Sequence, residues 1–183
     1  MNRYVVLLRG INVGGKNIIK MTALKACLEK AGFVDVVTYI ASGNVLVSSK
    51  ETRRPVLTKK IEDVLGKSFD YQASVVIRDT KEMQAVVKRA PRGFGSEPDA
   101  YRYDAIFLKE PLTAAEAMKS VKVREGVDEA HAGAGVLYFS RLVAKATQSQ
   151  LNKVVGLPVY KSMTIRNWNT TTKLAQMMTS ADD

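Results

Sequence analysis

The order in which apolar patterns follow one another is what most restricts the fold of this chain. Tyr4-Val5-Val6-Leu7-Leu8 is a continuous run of β-forming residues, as expected of a strand covered on both faces. After a glycine-rich loop, Leu24, Cys27, Leu28 and Ala31 recur at helical spacing, and Gly32 follows as a stop. Val36 to Ala41 reads as a second strand, Ser42-Gly43 as a tight turn, and Val45-Leu46-Val47 as a third strand. Pro55 opens a helix striped by Leu57, Ile61, Val64 and Leu65 and closed by Gly66, and Ser74 to Ile77 reads as a fourth strand. Strand-helix-strand-strand-helix-strand is the ferredoxin-like split motif.

The second half follows the same order. Asp79 and Glu82 have the spacing of a capping box, opening a helix that carries Met83, Val86, Val87 and Ala90 on one face and stops at Pro91. Tyr101 to Leu108 is a strand, and Thr113 with Glu116 caps a short helix. A weak strand is expected near Val127 to Ala130, and Val136 to Phe139 is another after the Gly133-Ala134-Gly135 turn. Thr147 and Gln150 are read as capping a helix with Leu151, Val154 and Val155. Val159 to Ile165 is expected as the last strand, and the final helix runs from Asn169 with Leu174, Met177 and Met178. The fold class is therefore α+β: a ferredoxin-like βαββαβ half over residues 1–90, a connecting loop over 91–99, and a similar βαββαβ-like half with an extra C-terminal helix over 100–183. No residue-level repeat is visible, so the duplication is one of topology.

Composition narrows the function classes. The chain carries a formal net charge of +10, which favours phosphorylated ligands, nucleic acid or other anionic partners. With 1 Cys and 1 His it has neither an internal disulfide nor a His- or Cys-rich metal site, and no cofactor or metal is expected. The start has no signal-peptide shape, and no apolar stretch approaches the roughly 18 residues of a membrane span. A cytoplasmic location without membrane partners is the expectation.

Two segments look like sites. In Arg9-Gly10-Ile11-Asn12-Val13-Gly14-Gly15-Lys16-Asn17, residues Gly10 to Lys16 fit G-x-x-x-x-G-K, but Asn17 stands where a Walker loop needs Ser or Thr for Mg²⁺. Asn17 to Lys20 looks extended rather than helical. What remains is an anion-binding reading in which glycines turn N–H groups toward one point and Arg9, Lys16 and Lys20 add charge. In the second, Thr164 to Leu174, Asn169 or Thr170 is read as capping the final helix, Arg166 and Lys173 as clamping an anion at its N-terminus, and Trp168 as a stacking surface or a core plug. Ser42 and Asn44 join the candidate set at the hairpin turn. Arg92-Gly93-Phe94-Gly95 begins like an RNA-recognition consensus, but Ser96, Glu97 and Pro98 break it. Tyr101, Tyr103 and Phe107 alternate onto one strand face, as a stacking platform or as core.

RGINVGGKNIIKM and TYIASGNVLVSS near the start, with TIRNWNTTTKL near the end, resemble the bacterial family known as domain of unknown function number sixteen ninety-seven. The resemblance implies a ferredoxin-like N-terminal part and no established activity, cofactor or substrate. Its motif positions here are Arg9, Gly10, Asn12, Gly14, Gly15, Lys20, Met21, Tyr39, Ser42, Gly43, Asn44, Arg166, Asn167, Trp168, Thr170, Lys173 and Leu174. The family also carries a Gly-rich, Ser-Lys stretch before its penultimate helix, where this chain has Ser140 to Thr147 without glycine. Amide, hydroxyl, glycine and basic residues, nearly without acids, suit the holding of a phosphate better than proton transfer. The expected partner is a phosphorylated small molecule or single-stranded nucleic acid, with both segments contributing. The alternative is an enzyme acting on a small anionic substrate.

Overall fold

The computed structural model describes residues 1–179. Eight strands and six α-helices alternate as β1(Asn2–Leu8), α1(Met21–Lys30), β2(Val34–Tyr39), β3(Asn44–Ser49), α2(Arg54–Phe69), β4(Val75–Asp79), α3(Thr80–Lys88), β5(Tyr101–Leu108), α4(Ala114–Ser120), β6(Asp128–Gly133), β7(Val136–Leu142), α5(Leu151–Val154), β8(Met163–Asn167) and α6(Trp168–Thr179). They form two four-stranded antiparallel sheets, ordered β2-β3-β1-β4 and β6-β7-β5-β8. Each is the split βαββαβ order, so the class is α+β with two similar halves. The described chain divides into two compact units, residues 1–83 with 174–179, and residues 84–173.

In the first unit β1 is central and Tyr4 to Leu8 are all buried, as an uninterrupted apolar run requires. Tyr4, Val6 and Leu8 face a core completed by Leu24 and Leu28 of α1 and Leu57, Ile61 and Leu65 of α2. Each such buried leucine contributes roughly 2 kcal/mol through removal from water. Pro55 lies in the first turn of α2, where its missing N–H costs nothing. The expected stop at Gly66 is overrun: α2 continues to Phe69, which packs against the core, and ends at Asp70 in the left-handed region (φ 49°). Gly66 instead lets the Tyr71 carbonyl approach, since a Cβ there would sit 3.3 Å from that oxygen.

The second unit repeats the scheme with Ile106, Leu108, Leu137 and Phe139 packed against Ala117, Leu151 and Val154. Both expected capping boxes are present. Asp79 Oδ1 accepts from the Glu82 N–H while Glu82 Oε2 accepts from the Asp79 N–H, and Thr113 with Glu116 makes the same reciprocal pair. The fifth helix and the last strand are among the elements that differ from expectation. Thr147 lies in a 3-10 turn (Val143–Gln148), and α5 is set instead by Ser149, whose Oγ accepts the Leu151 N–H, and by Asp128, which accepts the Gln150 N–H. The last strand begins at Met163 rather than Val159, because Pro158 opens a second 3-10 turn (Pro158–Ser162).

Superimposing the two registers exposes a repeat that the sequence hides. The Leu8 N–H donates to Gly43 O at 2.8 Å and the Leu108 N–H to Gly135 O at 3.0 Å. The Arg9 N–H donates to Ser74 O at 2.9 Å and the Lys109 N–H to Ser162 O at 2.8 Å. Val5 pairs with Arg78 as Ala105 pairs with Arg166. Ile77-Arg78-Asp79 and Ile165-Arg166-Asn167 are therefore the same structural position: a strand end carrying a buried arginine, followed by a helix cap.

Candidate functional site

The Arg9–Lys20 segment is a braced finger. Asn12, in the left-handed region (φ 53°), turns its side-chain amide to the backbone: Nδ2 donates to Ile19 O (3.0 Å) and Ala41 O (2.7 Å), and Oδ1 accepts the Ile19 N–H (2.8 Å). Asn17 Nδ2 donates to Gly10 O at 2.8 Å, closing the base from the other side. At the tip the Lys16 N–H donates to Val13 O at 3.1 Å across Gly14 (φ 59°) and Gly15 (φ 74°). Two successive positive φ values give the type I′ pattern of tight hairpins, which explains both glycines. Lys16, Lys20, Val13 and Ile18 stand exposed along the finger, and Arg9 is half-buried at its root.

This arrangement corrects part of the sequence reading. Asn12 frames the loop and has no amide hydrogen left to donate to an anion. Asn17 fills the Walker Ser/Thr position with a brace, and α1 begins only at Met21 on an antiparallel sheet, so the loop is no P-loop. Lys20 is the N-cap residue of α1, with no side-chain cap and no acid in the first turn, leaving the positive end of the helix dipole unopposed there.

The hairpin turn beside the finger is architectural. Gly43 (φ 80°) has no room for a Cβ, which would meet Leu8 Cβ at 2.8 Å. Asn44 is fully buried and donates to Tyr39 O and Ser42 Oγ, which makes it a turn clasp; Ser42 is exposed. Ile40 is held at φ 50°, strained backbone for a β-branched residue, directly before Ala41, whose carbonyl the finger grips.

In the second unit, α6 starts at Trp168, one residue earlier than expected. Its cap is Asn167, whose Oδ1 accepts the Asn169 N–H at 2.9 Å, not Asn169 or Thr170. Arg166 is buried and donates to Ile165 O at 2.9 Å rather than standing over the helix end. Burial lowers its pKa to about 10, so it stays charged at neutral pH. Thr171 is fully buried with its hydroxyl on Asn167 O; Thr170 is half-buried and Lys173 exposed.

Trp168 is half-buried in an aromatic group. Phe94 lies edge-on to Tyr103, Tyr138 and Trp168, with ring centroids 4.9, 5.4 and 5.0 Å away. Gly95 rests on the indole edge, where a Cβ would fall 2.6 Å from Nε1. The Tyr101-Tyr103-Phe107 stripe is closed beyond Tyr101, because Tyr103 is 9% and Phe107 0% exposed, so it is no open stacking platform. Beside the indole a cavity of about 390 Å³ is lined by Asp99, Tyr101, Arg102, Asn167, Trp168 and Asn169 among others. Asp99 and Arg102 were not legible as site residues, since single charges in a loop and on a strand carry no spacing signal. Among the described residues no group of three or more His, Cys, Asp or Glu gathers to hold a metal, and no helix is long and apolar enough to cross a membrane.

Two ferredoxin-like sheets in tandem, with a braced basic finger in the first, define the structural class. The chain belongs to the family described as "Protein of unknown function (DUF1697)", whose model matches residues 1–138. It is similar in structure to a conserved bacterial protein, SP0830 from Streptococcus pneumoniae, with a TM-score of 0.85 and 25% identity over 98% of this chain and 99% of that one. No curated protein matches it.

Proposed function

We propose that this protein binds phosphate groups, those of a single-stranded nucleic acid backbone before those of a phosphorylated small molecule, through the Arg9–Lys20 finger. One observation carries the reading: asparagine side chains hold the finger rigid at its base while its lysines and its glycine tip face solvent. A pre-ordered cationic projection loses little entropy on meeting an extended polyanion, and the net charge of +10 supports the same partner. The closed aromatic stripe argues against base readout on the second sheet.

The alternative, an enzyme for a small anionic substrate, is favoured by the cavity at Asn167, whose lining includes Asp99, Arg102 and Trp168.

Anisotropy of labelled single-stranded RNA and DNA across a salt series separates the two. The first reading predicts binding that weakens steeply with salt, and a loss of about 10-fold in the Lys16→Ala/Lys20→Ala double variant. No binding at low salt, or binding indifferent to both lysines, would overturn it. Saturable binding of pyrophosphate with a shallow salt slope and a changed Trp168 emission would support the alternative.

A further inference from the structure

On the helical side of the second unit lies a cavity of about 530 Å³ with an apolar floor of Val154, Leu157, Pro158 and Val159. Lys119, Lys122 and Lys153 stand around it, and no acidic side chain lines it. Lys119 and Lys153 occupy the last turns of α4 and α5. Glu116, one turn back along α4, is committed to Thr113 through the capping box. Leu157, 36% exposed, leaves apolar surface open in this cavity.

From this pairing of an apolar floor with a cationic rim we infer a second binding site, for a small amphipathic anion: a carboxylate or sulfonate on an apolar ring or short hydrocarbon chain. The volume suits such a molecule, since small-molecule sites run to roughly 300–1,000 Å³. An inorganic anion would meet the lysines but gain nothing from Leu157 and Val159. A neutral hydrocarbon would cover the floor but leave the charge of Lys122 and Lys153 unused, and that of Lys119 opposed only by Glu116 on its own helix. Only a ligand carrying both features uses the whole surface. The site is independent of the finger and stands or falls separately from it.

The probe is 8-anilinonaphthalene-1-sulfonate, followed by fluorescence, with decanoate, decanol and sulfate as competitors. The expected result is saturable emission displaced by decanoate far better than by decanol or sulfate. The Lys119→Gln/Lys153→Gln double variant should weaken binding about 10-fold. Leu157→Asp, at a partly exposed position, should do so at least as strongly while circular dichroism stays unchanged. Lack of saturable emission, equal displacement by all three competitors, or wild-type affinity in both variants would overturn the assignment.

Discussion

The two halves share a sheet order, matching hydrogen bonds at the ends of their first strands, and a buried arginine at the same register position, yet differ in the connection that follows the first strand. In the second half it is the short stretch 109–113, leading through a cis Glu110–Pro111 bond to a capped helix. In the first half it is the finger, residues 9–20, leading to a helix with no side-chain cap. The split sheet order therefore does not need the finger, although Ile11 and Ile19 at its base join the core of the first unit. What the fold requires appears twice, and the element that appears once is the better candidate for function.

The largest test of that comparison concerns what is shared. Arg78 and Arg166 are 5% and 9% exposed, and each donates through Nη1 to the carbonyl of the preceding isoleucine at 2.9 Å. Arg78→Ala and Arg166→Ala should each cost on the order of 3 kcal/mol in urea unfolding, from lost packing and stranded acceptors. A loss confined to one of them would break the equivalence.

A smaller effect is expected at the caps that follow. Asp79→Ala and Asn167→Ala should each lower stability by about 1 kcal/mol. Asp79 should show the larger loss, because its partner Glu82 also holds Arg54 in a bidentate pair and depends on the same geometry.

The smallest effect marks a place where the halves diverge. Where the first half has Tyr4, the second has Asp104, 7% exposed, whose pKa burial raises against the opposing pull of Arg141 and Arg102. Below the ordinary aspartate value of about 3.9 the carboxyl is protonated folded and unfolded, and Asp104→Asn changes little. As pH rises past that value the unfolded chain releases its proton first, so the native protein loses stability relative to the variant until the raised pKa is passed. Thermal unfolding at neutral pH should favour Asp104→Asn, with the gain vanishing in acid. A gain that persisted in acid would contradict the burial argument.

These contrasts also show what the sequence made legible. Element order, the two capping boxes and the turn at Gly43 were readable because each depends on residues a few positions apart. The roles of Asn12 and Arg166 were not. Asn12 reaches Ala41, 29 positions away, and this bond exists only once β1, β2 and the hairpin turn have come together. Arg166 looks like a ligand clamp beside a helix start, but strand alternation turns it to the buried face opposite Ile165. The duplication was legible as topology but not residue by residue, because the shared position is only Ile-Arg followed by Asp in one half and Asn in the other, too short to stand out without the register.

The central claim, that the finger and not its counterpart is the phosphate-binding element, is tested most directly by amide chemical shifts during titration with a single-stranded oligonucleotide at low salt. The account predicts progressive shifts at Gly14, Gly15 and Lys16, with Lys109 and Glu110 unmoved. A silent finger, or equal shifts in both connections, would contradict it.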